Sequence, residues 1–97
     1  MGKSFPLVEG RNLVGRWDPD SGAFPEVDLE AEDVEAKVSR KHAVIERQGS
    51  LCLIEDAGSL NGTFINRGPR LKAGERVELK AGDEVVIGKT FLRFELA

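Results

Sequence analysis

Apolar residues in this chain fall into short groups rather than at helical spacing: Leu13 and Val14, Val27 and Leu29, Ala43 to Ile45, Leu51 to Ile54, Phe64 and Ile65, Val77 and Leu79, Val85 to Ile87, and Phe91 to Leu96. Between them stand Gly10, Gln48-Gly49, Gly58, Asn61-Gly62, Gly68-Pro69, Gly74 and Gly82, so turn residues recur every few positions. This spacing predicts an all-β chain with a strand at each apolar group. Val77 and Leu79 flank Glu78, and Leu92, Phe94 and Leu96 alternate with Arg93 and Glu95, which predicts that these three face inward. The segments AVIERQGSLCLIED and RVELKAGDEVVIG each read as a hairpin turning through glycine, where a positive φ is easily adopted.

Two stretches fall outside the strand pattern. EAEDVEAK, residues 30 to 37, holds helix formers and places Asp33 and Lys37 four apart. It is too short to sustain a helix alone, so it reads as an ordered loop with room for one helical turn. WDPDSGAFPEV, residues 17 to 27, is a turn-rich loop. Its aspartates do not match the spacing of a helix-loop-helix calcium site, and a solvated loop accounts for them. Trp17, beside a strand end, is expected to cover the edge of the core.

Composition narrows the function classes. Ninety-seven residues make one small domain with one core. The net charge of -3, from 14 basic and 17 acidic residues, offers no long-range attraction to nucleic acid or anionic membrane, so any anion site is local. Cys52, the only cysteine, lies within the apolar run LCLI and reads as core; no metal ligand set is legible, and no cofactor is expected. His42, the only histidine, has neither a nucleophile nor an orienting carboxylate beside it in the sequence, and no nucleotide-binding phosphate loop is present, so no catalytic residue is assigned and no enzyme is expected. No stretch of 18 apolar residues and no signal-peptide pattern occur, so the expected compartment is the cytoplasm, with no membrane partner.

The chemistry-bearing residues cluster in KVSRKHAVIER, 37 to 47, and DAGSLNGTFIN, 56 to 66. Taken alone, Arg16 is a surface arginine after a turn, Ser39 a turn or capping residue, and Asn61-Gly62 a hairpin turn. Their order changes the reading. Gly15-Arg16, then Ser39-Arg40-Lys41-His42, then Gly58-Ser59-Leu60-Asn61-Gly62-Thr63, and last GDEVVIG at 82 to 88, resemble the forkhead-associated (FHA) family over essentially the whole chain.

The resemblance implies an FHA-like β-sandwich of two twisted, mainly antiparallel sheets that binds phosphothreonine peptides through loops at one end. It implies that residues 1-97 form a single FHA domain excised from a larger protein, lacking the family's usual first strand; the closing FLRFEL would then present an exposed sheet edge. Arg16, Ser39 and Arg40 are implied phosphate contacts. A guanidinium stays charged and offers a planar fork, and a hydroxyl approaches an anion without a second desolvated charge. Lys41 points the other way. Asn61, with a donor and an acceptor, is implied to hold the peptide backbone, and Gly15, His42, Ser59, Gly62 and Thr63 to support the loops. Leu60 departs from the small hydroxyl residue common in the family and removes one ligand hydrogen bond.

The expected partner is a phosphothreonine-containing protein or peptide, and not nucleic acid. The rival reading is a scaffold that self-associates through a sheet face or the exposed edge, without phosphate dependence.

Overall fold

The computed structural model describes residues 3–96 and contains two β-sheets. Strands β1 (Gly10–Gly15), β2 (Val27–Asp28), β3 (Lys41–Gln48), β4 (Leu51–Asp56) and β6 (Arg76–Glu78) form the larger sheet, in the order β2-β1-β3-β4-β6. Strands β5 (Thr63–Ile65), β7 (Glu84–Ile87) and β8 (Thr90–Arg93) form the smaller, in the order β5-β7-β8. Every pairing is antiparallel except β1 with β2. Each strand falls on an apolar group of the sequence, and residues 30 to 37 form an ordered series of turns and bends without a helix.

Alternation decides which side chains meet. In the larger sheet, Asn12, Val14, Ala43, Ile45, Cys52 and Ile54 are buried on the inner face, while Arg11, Glu46 and Glu55 stand on the other. In the smaller sheet, Val85 and Ile87 are buried on the inner face, with Ile65 and Leu92 beside Val85 in register. The two inner faces, with Leu29, Val38, Leu71, Leu79 and Phe94, make one core. Burying each large aliphatic side chain contributes roughly 1.5–3 kcal/mol.

Asn12 is fully buried and fully bonded. Its Nδ2 donates to the carbonyls of Val8, Gly10 and Ile45, and its Oδ1 accepts from the Val8 N–H at 2.8 Å. It fastens the segment preceding β1, from which Phe5 and Leu7 pack on the core.

AVIERQGSLCLIED forms the hairpin β3–β4, turning at Gly49 with φ 63°. RVELKAGDEVVIG does not form one. β6 pairs with β4 and β7 with β5 and β8, so the chain passes between sheets at Leu79 to Asp83. Leu79 makes the last bond to the larger sheet, N–H to the Cys52 carbonyl at 2.9 Å, and the Asp83 N–H closes the corner on the Lys80 carbonyl at 2.9 Å. A glycine-rich corner between sheets carries the same local signal as a hairpin turn, and buried Leu79 draws the chain across. Near the C-terminus Phe94 is buried and Leu92 half-buried, but Leu96 lies past the end of β8 and is 54% exposed, against the inward expectation.

Candidate anion-binding site

At one end of the sandwich the β1 terminus, the 33–42 segment and the 58–62 loop are tied together by hydrogen bonds. Between Val14 and Gly15 the β1–β3 register slips: Val14 pairs with Ala43 but Gly15 with Lys41, so His42 is an extra residue in β3. This bulge breaks the alternation and lets His42 and Ala43 both turn into the interior. Glycine is obligatory at 15, because a Cβ there would lie 1.9 Å from the Arg40 carbonyl oxygen.

Buried His42 is the central tie. The Ser39 N–H donates to its Nδ1 at 2.9 Å, which places the ring proton on Nε2; that nitrogen donates to the Gly62 carbonyl at 2.8 Å. The same carbonyl accepts the Gly88 N–H at 3.0 Å, so the closing glycine of GDEVVIG is fastened to the same loop. Burial holds the imidazole below its ordinary range, with Arg70 adding to the effect against the pull of the Gly62 carbonyl, Asp56 and Asp33. With both nitrogens engaged by backbone, His42 has no free position for acid–base chemistry.

Arg16 and Ser39 each give one group to the scaffold and keep another free. Arg16 Nε donates to the Val38 carbonyl at 2.5 Å and lies 3.8 Å from Asp33 Oδ2, while its terminal nitrogens have no protein hydrogen bond among the described residues. Its side chain is 35% exposed. Ser39 Oγ accepts the Leu60 N–H at 3.1 Å, which leaves its hydroxyl hydrogen unassigned. Asn61 Nδ2 donates to the Lys37 carbonyl at 3.1 Å, and its Oδ1 has no partner among the described residues. Arg40 is turned to an acidic neighbour: its Nε lies 2.5 Å from Asp18 Oδ2.

The 58–62 loop is organised by Asp56. Its Oδ2 accepts the N–H groups of Gly58 and Ser59, and its Oδ1 the hydroxyls of Ser59 (2.6 Å) and Thr63 (2.7 Å). Burial pushes this carboxyl up, but the four hydrogen bonds outweigh it and hold it below the ordinary range. Ser59 Oγ also accepts the Gly62 N–H at 3.0 Å, and Gly62 adopts φ 93° to close the turn.

Sequence reasoning missed four residues here. Asp33 is not a helical partner of Lys37: its carboxylate, 2% exposed, accepts the N–H groups of Lys37 and Val38 and faces Arg16. Asp56 carries a legible sign, an aspartate two and three residues before a glycine and a serine at a strand end. Arg70, whose Nη2 donates to the Ser59 carbonyl at 2.6 Å, carries no local sign because it acts across the fold, and Gly88 was visible only as the end of GDEVVIG, without a role. Trp17 was expected to cover the core edge, but it is 49% exposed and stacks edge-to-face on Phe24 at 5.1 Å, a partner seven residues on in the same loop.

The FHA domain family matches residues 10–88. This chain belongs to that family. It is 42% identical over 92 residues to an oxoglutarate dehydrogenase inhibitor of Corynebacterium diphtheriae, covering 95% of this chain and 60% of that protein. Among solved structures it is similar to one from a structural and functional analysis of phosphothreonine-dependent FHA domain interactions, with TM-score 0.74, 28% identity, and coverage of 94% of this chain and 81% of that one. It is also similar to Mycobacterium tuberculosis EmbR in complex with a low-affinity phosphopeptide, with TM-score 0.77, 28% identity, and coverage of 99% of this chain and 22% of EmbR. The chain spans 60% of the length of the oxoglutarate dehydrogenase inhibitors of Corynebacterium diphtheriae and Corynebacterium jeikeium, and a smaller share of EmbR.

Proposed function

We propose that this FHA domain binds phosphothreonine in extended segments of partner proteins, by recognition alone and without chemistry. The observation that carries the reading is the pair Arg16 and Ser39. Both are held by their neighbours, through the Val38 carbonyl and the Leu60 N–H, while the guanidinium fork and the hydroxyl hydrogen stay unspent. A dianionic phosphate accepts from both, and Arg40 adds a third donor, the second that carries charge.

Charged hydrogen bonds contribute on the order of 1.5–3 kcal/mol each. Two or three of them set the affinity, less the ordering of the peptide. Asn61 holds the peptide backbone beside the phosphate, with a free acceptor and the second amide hydrogen, and His42 keeps the two loops at their spacing. A methyl-sized pocket for the threonine side chain is worth roughly 0.8 kcal/mol, so phosphothreonine exceeds phosphoserine by only about fourfold. The phosphothreonine dependence of an FHA relative and the phosphopeptide bound to EmbR support the same chemistry.

The deciding experiment is an oriented phosphothreonine peptide array probed with wild type and Arg16→Ala. Wild type is expected to select phosphorylated peptides and the variant to lose them; selective signal retained by Arg16→Ala would place the anion site elsewhere.

A further inference from the structure

Asp18 and Arg40 face each other at the mouth of the site, and the two partners are held unequally. The Asp18 backbone exchanges hydrogen bonds with Ala23 in both directions at 2.9 Å, and its carbonyl accepts the Ser21 N–H at 3.2 Å. The Ser21 hydroxyl donates to Asp18 Oδ2 at 3.1 Å, and the carboxylate side chain is only 23% exposed. Arg40 sits on the bend just before β3, its side chain is 60% exposed, and its guanidinium has no other partner among the described residues. The acid is fixed and the base is free to swing.

We propose that Asp18 is a selectivity-determining residue of the phosphate site: a built-in carboxylate that occupies Arg40 until a stronger anion takes it. The inference rests on the phosphothreonine reading and adds a threshold to it. A peptide glutamate that replaced Asp18 would exchange one carboxylate for another and gain nothing from Arg40. A phosphothreonine carries about -1.5 to -2 charges and three acceptor oxygens near neutral pH, so it draws Arg40 away from a single carboxylate. Arg40 follows directly on Ser39, so the exchange needs a side-chain rotation and no movement of the loop. The arrangement filters phosphate from ordinary acidic side chains with a residue that need not touch the ligand.

The test measures binding of a phosphothreonine peptide library, its unphosphorylated twin and its glutamate-for-phosphothreonine twin to wild type, Asp18→Asn, Asp20→Asn, Arg40→Ala and Asp18→Asn/Arg40→Ala. Asn keeps an acceptor for Ser21 and removes the charge. Asp20 is an exposed acid of the same loop with no hydrogen bond among the described residues, so it controls for net charge. Asp18→Asn is expected to tighten phosphopeptide binding about two- to fivefold, the range of an exposed ion pair released. Asp20→Asn is expected to leave it unchanged, and the gain to shrink once Arg40 is gone. Arg40→Ala is expected to weaken the phosphopeptide but not the glutamate peptide, a comparison that leaves Asp18 and its loop intact.

Equal effects of Asp18→Asn and Asp20→Asn would overturn the proposal, as would a full gain without Arg40 or an equal loss of both peptides in Arg40→Ala. If wild type does not distinguish the phosphorylated library from its unphosphorylated twin, the phosphate reading itself falls and the role of Asp18 with it.

Discussion

The Nε2–H of His42 donates to the carbonyl of Gly62 at 2.8 Å, across twenty residues of sequence, and so joins β3 to the loop that carries Asn61. Because the Ser39 N–H binds the opposite nitrogen of the same ring, one neutral imidazole sets the distance between the serine and asparagine sides of the site. His42→Ala should therefore weaken phosphopeptide binding without removing a phosphate contact. Its signature is a loss of stability in the unliganded domain, of about 1–3 kcal/mol for the orphaned carbonyl and N–H, measured by urea unfolding. Unchanged unfolding with lost binding would instead make His42 a ligand contact.

The same burial makes stability depend on pH. The folded His42 pKa lies below its ordinary value of 6.5, so in the window beneath 6.5 the unfolded chain binds more protons than the native one. This contribution is complete above pH 6.5 and drains away as the pH falls towards the folded value. Thermal unfolding between pH 7 and 5, compared with a His42→Gln variant, should show a fall in wild type that the variant lacks.

Asp56 acts in a lower window. Its folded pKa is depressed below 3.8, so its contribution is present above that pH and is lost as the pH drops through the folded value. Asp56→Asn removes the charge that gathers the Gly58, Ser59 and Thr63 donors, and should cost about 2–4 kcal/mol while flattening the acid limb of the stability profile. An unaltered acid limb would show that this carboxylate does not control the loop.

Gly15→Ala is expected to be among the most damaging of small substitutions, since the new methyl would meet the Arg40 carbonyl at 1.9 Å. The β1–β3 bulge must open to admit it, at a cost of roughly 3 kcal/mol or more, and the opening displaces Arg16 as well. Gly10→Ala meets nothing within 4 Å and carries only the strain of its φ of 90°, so it should be the milder of the two in chemical denaturation and in peptide binding.

Cys52, 3% exposed, has its thiol pushed up by burial. It should react with an aromatic disulfide reagent only through unfolding, so its labelling rate at neutral pH should track stability across the variants above. Rapid labelling of the native domain would contradict its place in the core.

The strand set and the inner faces were legible because β-strands write their burial locally, one side chain in two. Arg16, Ser39, Arg40, His42, Asn61 and Gly62 were legible as an ordered set of motifs; hydrogen bonds tie Arg16, Ser39, His42, Asn61 and Gly62 into adjoining loops, while the Arg40 side chain pairs with Asp18. The corner at Leu79–Asp83 was not, because a tight glycine turn does not state whether its flanks pair with each other or with strands of different sheets. Leu96 was misplaced because alternation continues in sequence past the point where pairing stops.

By itself, then, the order of residues determined an all-β chain, its core-facing positions and the residue types available for an anion. Tertiary structure alone decided that Asp33 braces Arg16, that Asp18 pairs with the largely exposed Arg40, and that Arg70 and Gly88 support the 58–62 loop. The reason is range: burial and turn preference act between neighbours along the chain, whereas a hydrogen bond or ion pair depends on which distant loops the packed sheets bring within about 3 Å of each other.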